Sequence, residues 1–346
     1  MTLNDLSLER FDELTARYSK LRVAVLGDFC LDRYLEIDPA KGEMSIETGL
    51  PVHNVIRVRA QPGAAGTILN NLVALGVGTL HPIGFCGVDG EGFELRHALG
   101  SMAGVRLDSF VEAEDRRTFT YCKPLVIAEG QPPRELSRLD TKNWSATPEA
   151  VEGRIIANLE ALAGEVDAMI VLDQVDHPGT GVVTGAVLEA VGRLRGRCPS
   201  LWIMADSRRG LGGYPAVCFK MNRLELAKLM GRETNANSGQ VGEWALDLAR
   251  RQERHVFVTL SEEGLLGAAP GGECVQVPTW PLRGEIDIVG AGDAVTANLT
   301  AAFGAGSDLR EALQMANAAA SIVIHQLGTT GTASVGQLRE LLFQQD

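Results

Sequence analysis

The stretch Asp287-Ile288-Val289-Gly290-Ala291-Gly292-Asp293 runs directly into a small and apolar segment, residues 294–303, that reads as a helix. Two glycines and an alanine ahead of a helix leave backbone N–H groups uncovered. The N-terminal end of a helix attracts anions, so this turn could hold a phosphate. Asp293 then stands where its charge would repel that phosphate. The placement makes sense if the carboxylate takes a proton from a hydroxyl attacking the phosphate. The plainer alternative is a helix cap, a position that favours aspartate in any case.

Working back from this turn, strand-like and helix-like segments alternate. Phe11, Leu14, Tyr18 and Leu21 recur at helical spacing. Residues 23–27 form a short apolar run ending in glycine, the pattern of a buried parallel strand. Residues 63–75 read as helix, 79–85 as strand and 90–99 as helix. From Glu149 the rhythm is regular: helix to 162, strand 168–172, helix 182–195, strand 201–205, helices 223–230 and 242–251, strand 255–260. Segments 265–268 and 273–277 lead to the glycine turn, followed by helices over 294–303 and 309–326. This alternation predicts an α/β fold with a central, mostly parallel sheet flanked by helices on both faces. Two β-rich segments, 37–59 and 117–139, break the rhythm. They are expected to pair into a small sheet that acts as a lid on one domain spanning 1–346. A small sheet with an apolar face needs cover, from the active site or from a second subunit. A homodimer through the lid is one of these two ways to cover it, and the sequence does not fix the oligomeric state.

The bulk composition narrows the function. The chain has 346 residues and 45% hydrophobic content, enough for a substantial core. A net charge of −12 leaves no basic surplus for nucleic acid. No uncharged apolar run approaches the ~20 residues of a membrane span, and no signal-like segment opens the chain. Cys30, Cys86, Cys122, Cys198, Cys218 and Cys274 are scattered without Cys-x-x-Cys spacing, which argues against a zinc ribbon or a redox pair. Reduced thiols and a cytoplasmic setting are expected.

Two common nucleotide motifs are missing. No Gly-Lys dipeptide occurs, so there is no Walker A loop. The first strand runs into Gly27-Asp28-Phe29-Cys30-Leu31-Asp32 instead of a dinucleotide fingerprint. Asp28 and Asp32 follow the C-terminal end of that strand, where ligands bind in open α/β sheets. Carboxylates there can accept from substrate hydroxyls, or serve as ordinary loop acids. Small residues in Pro62-Gly63-Ala64-Ala65-Gly66-Thr67 permit close approach of a ligand, or only tight helix–sheet packing. Asn222 and Glu225 stand one helical turn apart, suited to a hydrated magnesium ion or to a capping box. Thr259 and Ser261 close a strand before Gly264, at an edge where hydroxyls can meet a nucleotide or merely form a hairpin turn.

Taken in order, these landmarks resemble the ribokinase-like (PfkB-type) carbohydrate kinases over nearly the whole chain. The resemblance rests on Gly27-Asp28 with Leu31-Asp32-Arg33-Tyr34, on residues 62–76, on Gly87-Val88-Asp89 with Gly92, on Asn222-x-x-Glu225, on Val258-Thr259 with Gly264, and above all on residues 287–293. Leu136-Ser137-Arg138-Leu139-Asp140 and the segment from Ala316 to Gly328-Thr329 are closest to the heptose phosphate kinase branch. The resemblance implies a ribokinase-like fold and ATP-dependent phosphorylation of a hydroxyl on a sugar or sugar phosphate, with Mg²⁺ and, as a further candidate, a monovalent cation. It implies that Asp293 is the catalytic base and that Gly290, Ala291 and Gly292 form the anion hole. Asn222, Glu225, Thr259, Ser261, Gly264, Asp287 and Asn317 would serve the nucleotide and its magnesium. No residue is expected to ligate the metal directly. Asp28, Asp32, Gly63, Thr67 and Arg138 would face the sugar.

The departures bear on the acceptor. Ala64 stands where the family has a second glycine, and Thr67 where an asparagine is expected. Asp206-Ser207-Arg208-Arg209-Gly210 replaces the Asp-Pro-Lys-Gly of the heptose branch, with arginines that can bind phosphate as forks. Such changes leave two alternatives: a non-catalytic nucleotide- or sugar-binding descendant of the fold, and a nucleoside kinase.

Overall fold

The computed structural model describes residues 6–328 and 330–343. Thr329, quoted above, lies outside them. Among these residues a nine-stranded sheet runs in the order Cys274–Val277, Leu265–Ala268, Val256–Thr259, Cys218–Asn222, Trp202–Ser207, Ala168–Asp173, Arg22–Gly27, Thr79–Gly87 and Phe110–Ala113. From Val256–Thr259 onward the strands pair in parallel, while the other edge turns back antiparallel.

Side-chain alternation on the central strands feeds two cores. Val23 and Val25 enter one, Ala24 and Leu26 the other; Ala168, Ile170 and Leu172 divide from Met169 and Val171 in the same way. Covered on both faces, such strands read as unbroken apolar runs. Helices Leu8–Tyr18, Ala65–Ala74, Gly90–Gly100, Ala291–Gly304, Leu309–Val323 and Val335–Phe343 pack into the first core. Helices Glu149–Leu162, Gly185–Arg197, Arg223–Leu229 and Ser238–Gln252 pack into the second. The central sheet with helices on both faces is as the sequence predicts. No described helix is long and apolar enough to cross a membrane.

A second, mixed sheet has the order Leu139–Thr141, Phe119–Val126, Phe29–Ile37 and Val55–Ala64, with Arg134–Glu135 paired to Phe119–Val126. Both β-rich segments contribute to it. They do not meet directly: Phe29–Ile37 lies between them, parallel to Phe119–Val126 and antiparallel to Val55–Ala64. Sequence reading leaves that strand unassigned, because Asp32, Arg33 and Glu36 break its apolar pattern.

Other elements also differ from expectation, among them the strand Phe110–Ala113 and the helix Val335–Phe343, which sequence reading leaves unassigned. The helix expected from residue 63 begins at Ala65, since the strand Val55–Ala64 continues through Gly63 and Ala64 turns the chain with φ 53°. The strand Cys218–Asn222 is unforeseen because Lys220 interrupts its apolar run.

Candidate active site

Asp293 sits in the first turn of helix Ala291–Gly304, whose cap is Gly290 in the left-handed region at φ 84°. A side chain at 290 would be strained there. Asp293 is thus the third helical residue, not the cap. Among the described residues no group donates a hydrogen bond to its carboxylate, so the capping alternative does not account for it.

The amides ahead of Asp293 are only partly free. Ala291 N–H donates to the Ile288 carbonyl at 3.3 Å and closes the turn. That amide, expected in the anion hole, is engaged within the turn in this structure. The amides of Gly290, Gly292 and Asp293 meet no acceptor among the described residues, as the first turn of a helix dictates.

Two cavities meet at Asp293. One, of about 170 Å³, is lined by Asp32, Thr67, Tyr121, Lys123 and Arg138 together with Gln174, Arg208, Gly290 and Asp293. The other, of about 290 Å³, is lined by Asp206, Lys220, Asn222, Glu225, Thr259 and Gly292 together with Gln174, Arg208 and Asp293. The first opens beneath the second sheet, the second beside the C-terminal ends of the parallel strands. A roomier cavity of about 460 Å³ between Val88, Phe93 and Leu107 shares no lining residue with either.

Burial raises the Asp293 carboxyl to about 7; Lys220 opposes the rise, and the negative charges of Asp206 and Asp32 add to it. Burial also raises Asp32, against the pull of Lys123, whose ammonium is 3.7 Å from Oδ1, and of Arg138. The Arg138 guanidinium lies 5.3 Å from the Tyr121 ring centre and donates to Asp140 at 2.7 Å.

Several anticipated residues stand elsewhere or do other work. Asp28 is buried and accepts from the amides of Gln174 at 2.8 Å, Val175 at 3.2 Å and Val182 at 2.7 Å. Three of its roughly four acceptor sites are taken by the protein, and it lines neither cavity, although the sequence reading expects it to face the substrate. Gly63 does not line the cavity but makes room for Asp32. Asn222 and Glu225 form a reciprocal capping box, Asn222 Oδ1 accepting from the Glu225 amide at 2.9 Å and Glu225 Oε2 from the Asn222 amide at 2.7 Å, while still lining the second cavity. Thr259 lines it too. Ser261 and Gly264 do not; Gly264, at φ 97°, packs where any Cβ would overlap the Val277 carbonyl. Asn317 donates to the Pro278 carbonyl at 2.7 Å and steadies a neighbouring loop. Asp287 accepts from the Val289 amide at 3.0 Å and shapes the glycine turn. Arg209 is drawn to buried Asp173 at 2.7 Å, leaving Arg208 as the guanidinium of that loop that lines both cavities.

Lys220, Asp206, Lys123 and Gln174 were not anticipated. The signal for Lys220 is a lysine inside an otherwise apolar strand, a costly placement unless the charge has a partner. Its ammonium donates to Asp206 Oδ2 at 2.7 Å.

The glycine turn, with free amides beside the Asp293 carboxylate at the end of a mostly parallel α/β sheet, forms the candidate active site. The chain belongs to the pfkB family of carbohydrate kinases, whose model matches residues 42–335. It is 32% identical to the bifunctional protein HldE of Gluconacetobacter diazotrophicus over 335 residues, 95% of this chain and 65% of that protein. It is 31% identical to the HldE of Geotalea uraniireducens over 336 residues, 95% of this chain and 64% of that protein. The chain therefore spans a little under two thirds of the length of these relatives. Among solved structures, Arabidopsis thaliana ribokinase complexed with ribose and ATP superposes with TM-score 0.67 at 19% identity, covering 94% of this chain and 99% of that one. Escherichia coli phosphofructokinase-2 in complex with fructose-6-phosphate gives TM-score 0.67 at 19% identity, covering 93% and 98%. At such identities these two speak to the fold.

Proposed function

We propose that the chain transfers the γ-phosphoryl group of ATP to a hydroxyl of a sugar phosphate, with a heptose phosphate as the acceptor class. The observation that carries this reading is the position of Asp293 on the boundary of two cavities, one of which gathers Lys123, Arg138 and Arg208. A neutral sugar has no need of three cations. A phosphate already on the acceptor does, and arginine forks suit it. The likeness to HldE and the segment 136–140 support a heptose as the sugar.

In this reading Asp293 takes the proton of the attacking hydroxyl, and its raised pKa suits a base working near neutrality. The free amides of Gly292 and Asp293 donate to the phosphoryl group as it passes. Asp32 and Thr67 orient the acceptor, and Thr259 and Asn222 border the nucleotide. Glu225 Oε2 accepts from the Asn222 amide, and its other oxygen would be available to help hold a hydrated magnesium ion. Bound there, magnesium supplies charge neutralisation across the donor phosphates. ATP as donor favours a cytoplasmic setting. Exposed Ile56, Val58 and Leu139 on the second sheet favour a second copy of the chain as their cover.

The test is phosphoryl transfer from ATP to a panel of sugar phosphates, free sugars and nucleosides, with products identified by phosphorus NMR. Transfer to a sugar phosphate, with the acceptor KM raised at least ~10-fold in Arg208→Ala, is the expected result. Turnover only with free sugars or nucleosides would overturn the acceptor class. ATP binding without transfer to any acceptor would favour the non-catalytic alternative.

A further inference from the structure

We infer that Lys220 is a catalytic residue that donates to the migrating phosphoryl group, and that Asp206 is the positioning residue that holds it there. The inference rests on the kinase reading above.

Lys220 lies on strand Cys218–Asn222 with 8% of its surface exposed, flanked by buried Phe219 and Met221. A buried ammonium is unfavourable unless it is paired, and a buried pair is rarely better for stability than well-packed apolar residues. The position of the pair explains it better than stability does. Lys220 Nζ donates to Asp206 Oδ2 at 2.7 Å. Thr296, on the helix that carries Asp293, donates to the Gly292 carbonyl at 3.1 Å and lies 3.4 Å from the same Asp206 oxygen. The carboxylate is thereby fixed between the strand and the helix of the glycine turn.

The ammonium reaches that turn. Lys220 Nζ would lie 3.0 Å from a Cβ built on Gly292, so the missing side chain is the space in which the ammonium rests. Lys220, Asp206, Gly292 and Asp293 all line the nucleotide-side cavity. A lysine has three donors, and among the described residues only Asp206 accepts from this one. Two N–H groups remain beside the free amides of Gly292 and Asp293.

The chemistry gives those donors a use. A bond forms between the acceptor oxygen and phosphorus while the bond between phosphorus and the β–γ bridging oxygen breaks. The bridging electron pair leaves with ADP, and the hydroxyl proton passes to Asp293. Lys220 keeps its own protons and donates to a non-bridging oxygen of the phosphoryl group throughout. On the acceptor side Lys123 and Arg138 are engaged near Asp32 and Asp140, and Arg209 is tied to Asp173. Arg208 lines both cavities but its Nε lies 3.8 Å from Asp176, whereas the Lys220 ammonium is placed directly against Gly292 of the glycine turn.

The test uses the whole chain and two readouts. Binding of ADP and magnesium, with and without aluminium fluoride as a planar mimic of the migrating group, needs no acceptor sugar. Because Lys220→Met alone strands a buried carboxylate, the principal variant is the neutral pair Asp206→Asn/Lys220→Met, with Lys220→Arg as the conservative control. Fluoride should tighten ADP binding at least ~10-fold in the native chain and less than ~3-fold in the neutral pair, with ADP alone held within ~3-fold of native affinity. Turnover should fall ~10²–10³-fold in the neutral pair and recover in part with Lys220→Arg. The inference is overturned if the neutral pair keeps the fluoride effect, if the native chain shows none, or if ADP affinity falls by the same factor as turnover. Failure of the native chain to phosphorylate any acceptor would instead sink the kinase reading, and the fluoride result stands apart from it.

Discussion

The carboxylate of Asp32 fills the space that a side chain at Gly63 would need. A Cβ at residue 63 would lie 2.6 Å from Asp32 Oδ2 and 2.8 Å from the Cys30 sulfur. The two residues sit on neighbouring antiparallel strands of the second sheet, so the glycine sets where the acid points. Gly63→Ala should push Asp32 out of its pose and raise the acceptor KM by ~10-fold or more, since small misplacements of a positioning group are costly. The KM for ATP should not move. Steady-state kinetics with each substrate varied in turn decides it; equal effects on both substrates would remove Asp32 from the acceptor side.

Asp293→Asn should lower kcat by ~10²–10⁴-fold, the loss expected for a positioned base. Nucleotide affinity should survive, because the amides of the glycine turn are unchanged. Calorimetric titration with ADP beside the kinetic assay checks both halves.

The pH dependence follows from the same group. A base raised to about 7 is active when deprotonated, so kcat/KM should fall as pH drops below about 7 and level off above it. For stability the sign is opposite. A folded-state pKa above the unfolded value means the fold favours the protonated acid. That contribution is fully present below the unfolded pKa and is lost as pH rises through about 7. At pH 8, Asp293→Asn should therefore stabilise the chain by ~0.5–2 kcal/mol while disabling it. Urea unfolding of both proteins at pH 5 and pH 8 measures the difference, which should be larger at pH 8.

Ala64 carries strain that a glycine would release. It adopts φ 53° and ψ −118°, outside the regions open to residues with a side chain. Strained residues of this kind cost ~1–3 kcal/mol, so Ala64→Gly should raise stability by about 1 kcal/mol after the added chain entropy is set against it. Thermal unfolding of the variant would show no gain if the turn were unstrained.

Asp28 should behave as a structural acid. Asp28→Ala leaves the amides of Gln174, Val175 and Val182 without their acceptor. Each orphaned buried donor costs ~1–3 kcal/mol, so the midpoint of urea unfolding should drop sharply. Any folded protein that remains should bind ADP with near-native affinity.

The layered sheet was legible because its central strands are buried on both faces, and runs such as residues 22–27 and 168–173 announce that without ambiguity. The glycine turn was legible for a different reason: Gly290 needs a left-handed backbone, and Asp293 follows at a helix start. What could not be read was the matching of partners across the fold. Asp28 and Asp32 look equivalent in sequence, four residues apart on one segment. Three distant amides claim the first, and a distant lysine faces the second. Lys220 was hidden because its partner Asp206 lies on another strand, and the glycine that makes space for it lies on a helix much later in the chain.

Only one residue, Asp28, separates the last residue of the strand Arg22–Gly27 from the first of Phe29–Ile37. That residue is clamped by the loop that runs from Gln174 to Val182. The acceptor-side roof is thus joined to the body at this point by a stub too short to swing freely. Any closing movement would have to enter the body as rotation about the bonds flanking that clamp, so lengthening the joint by a single inserted residue would let the roof drift out of register with the base beneath it.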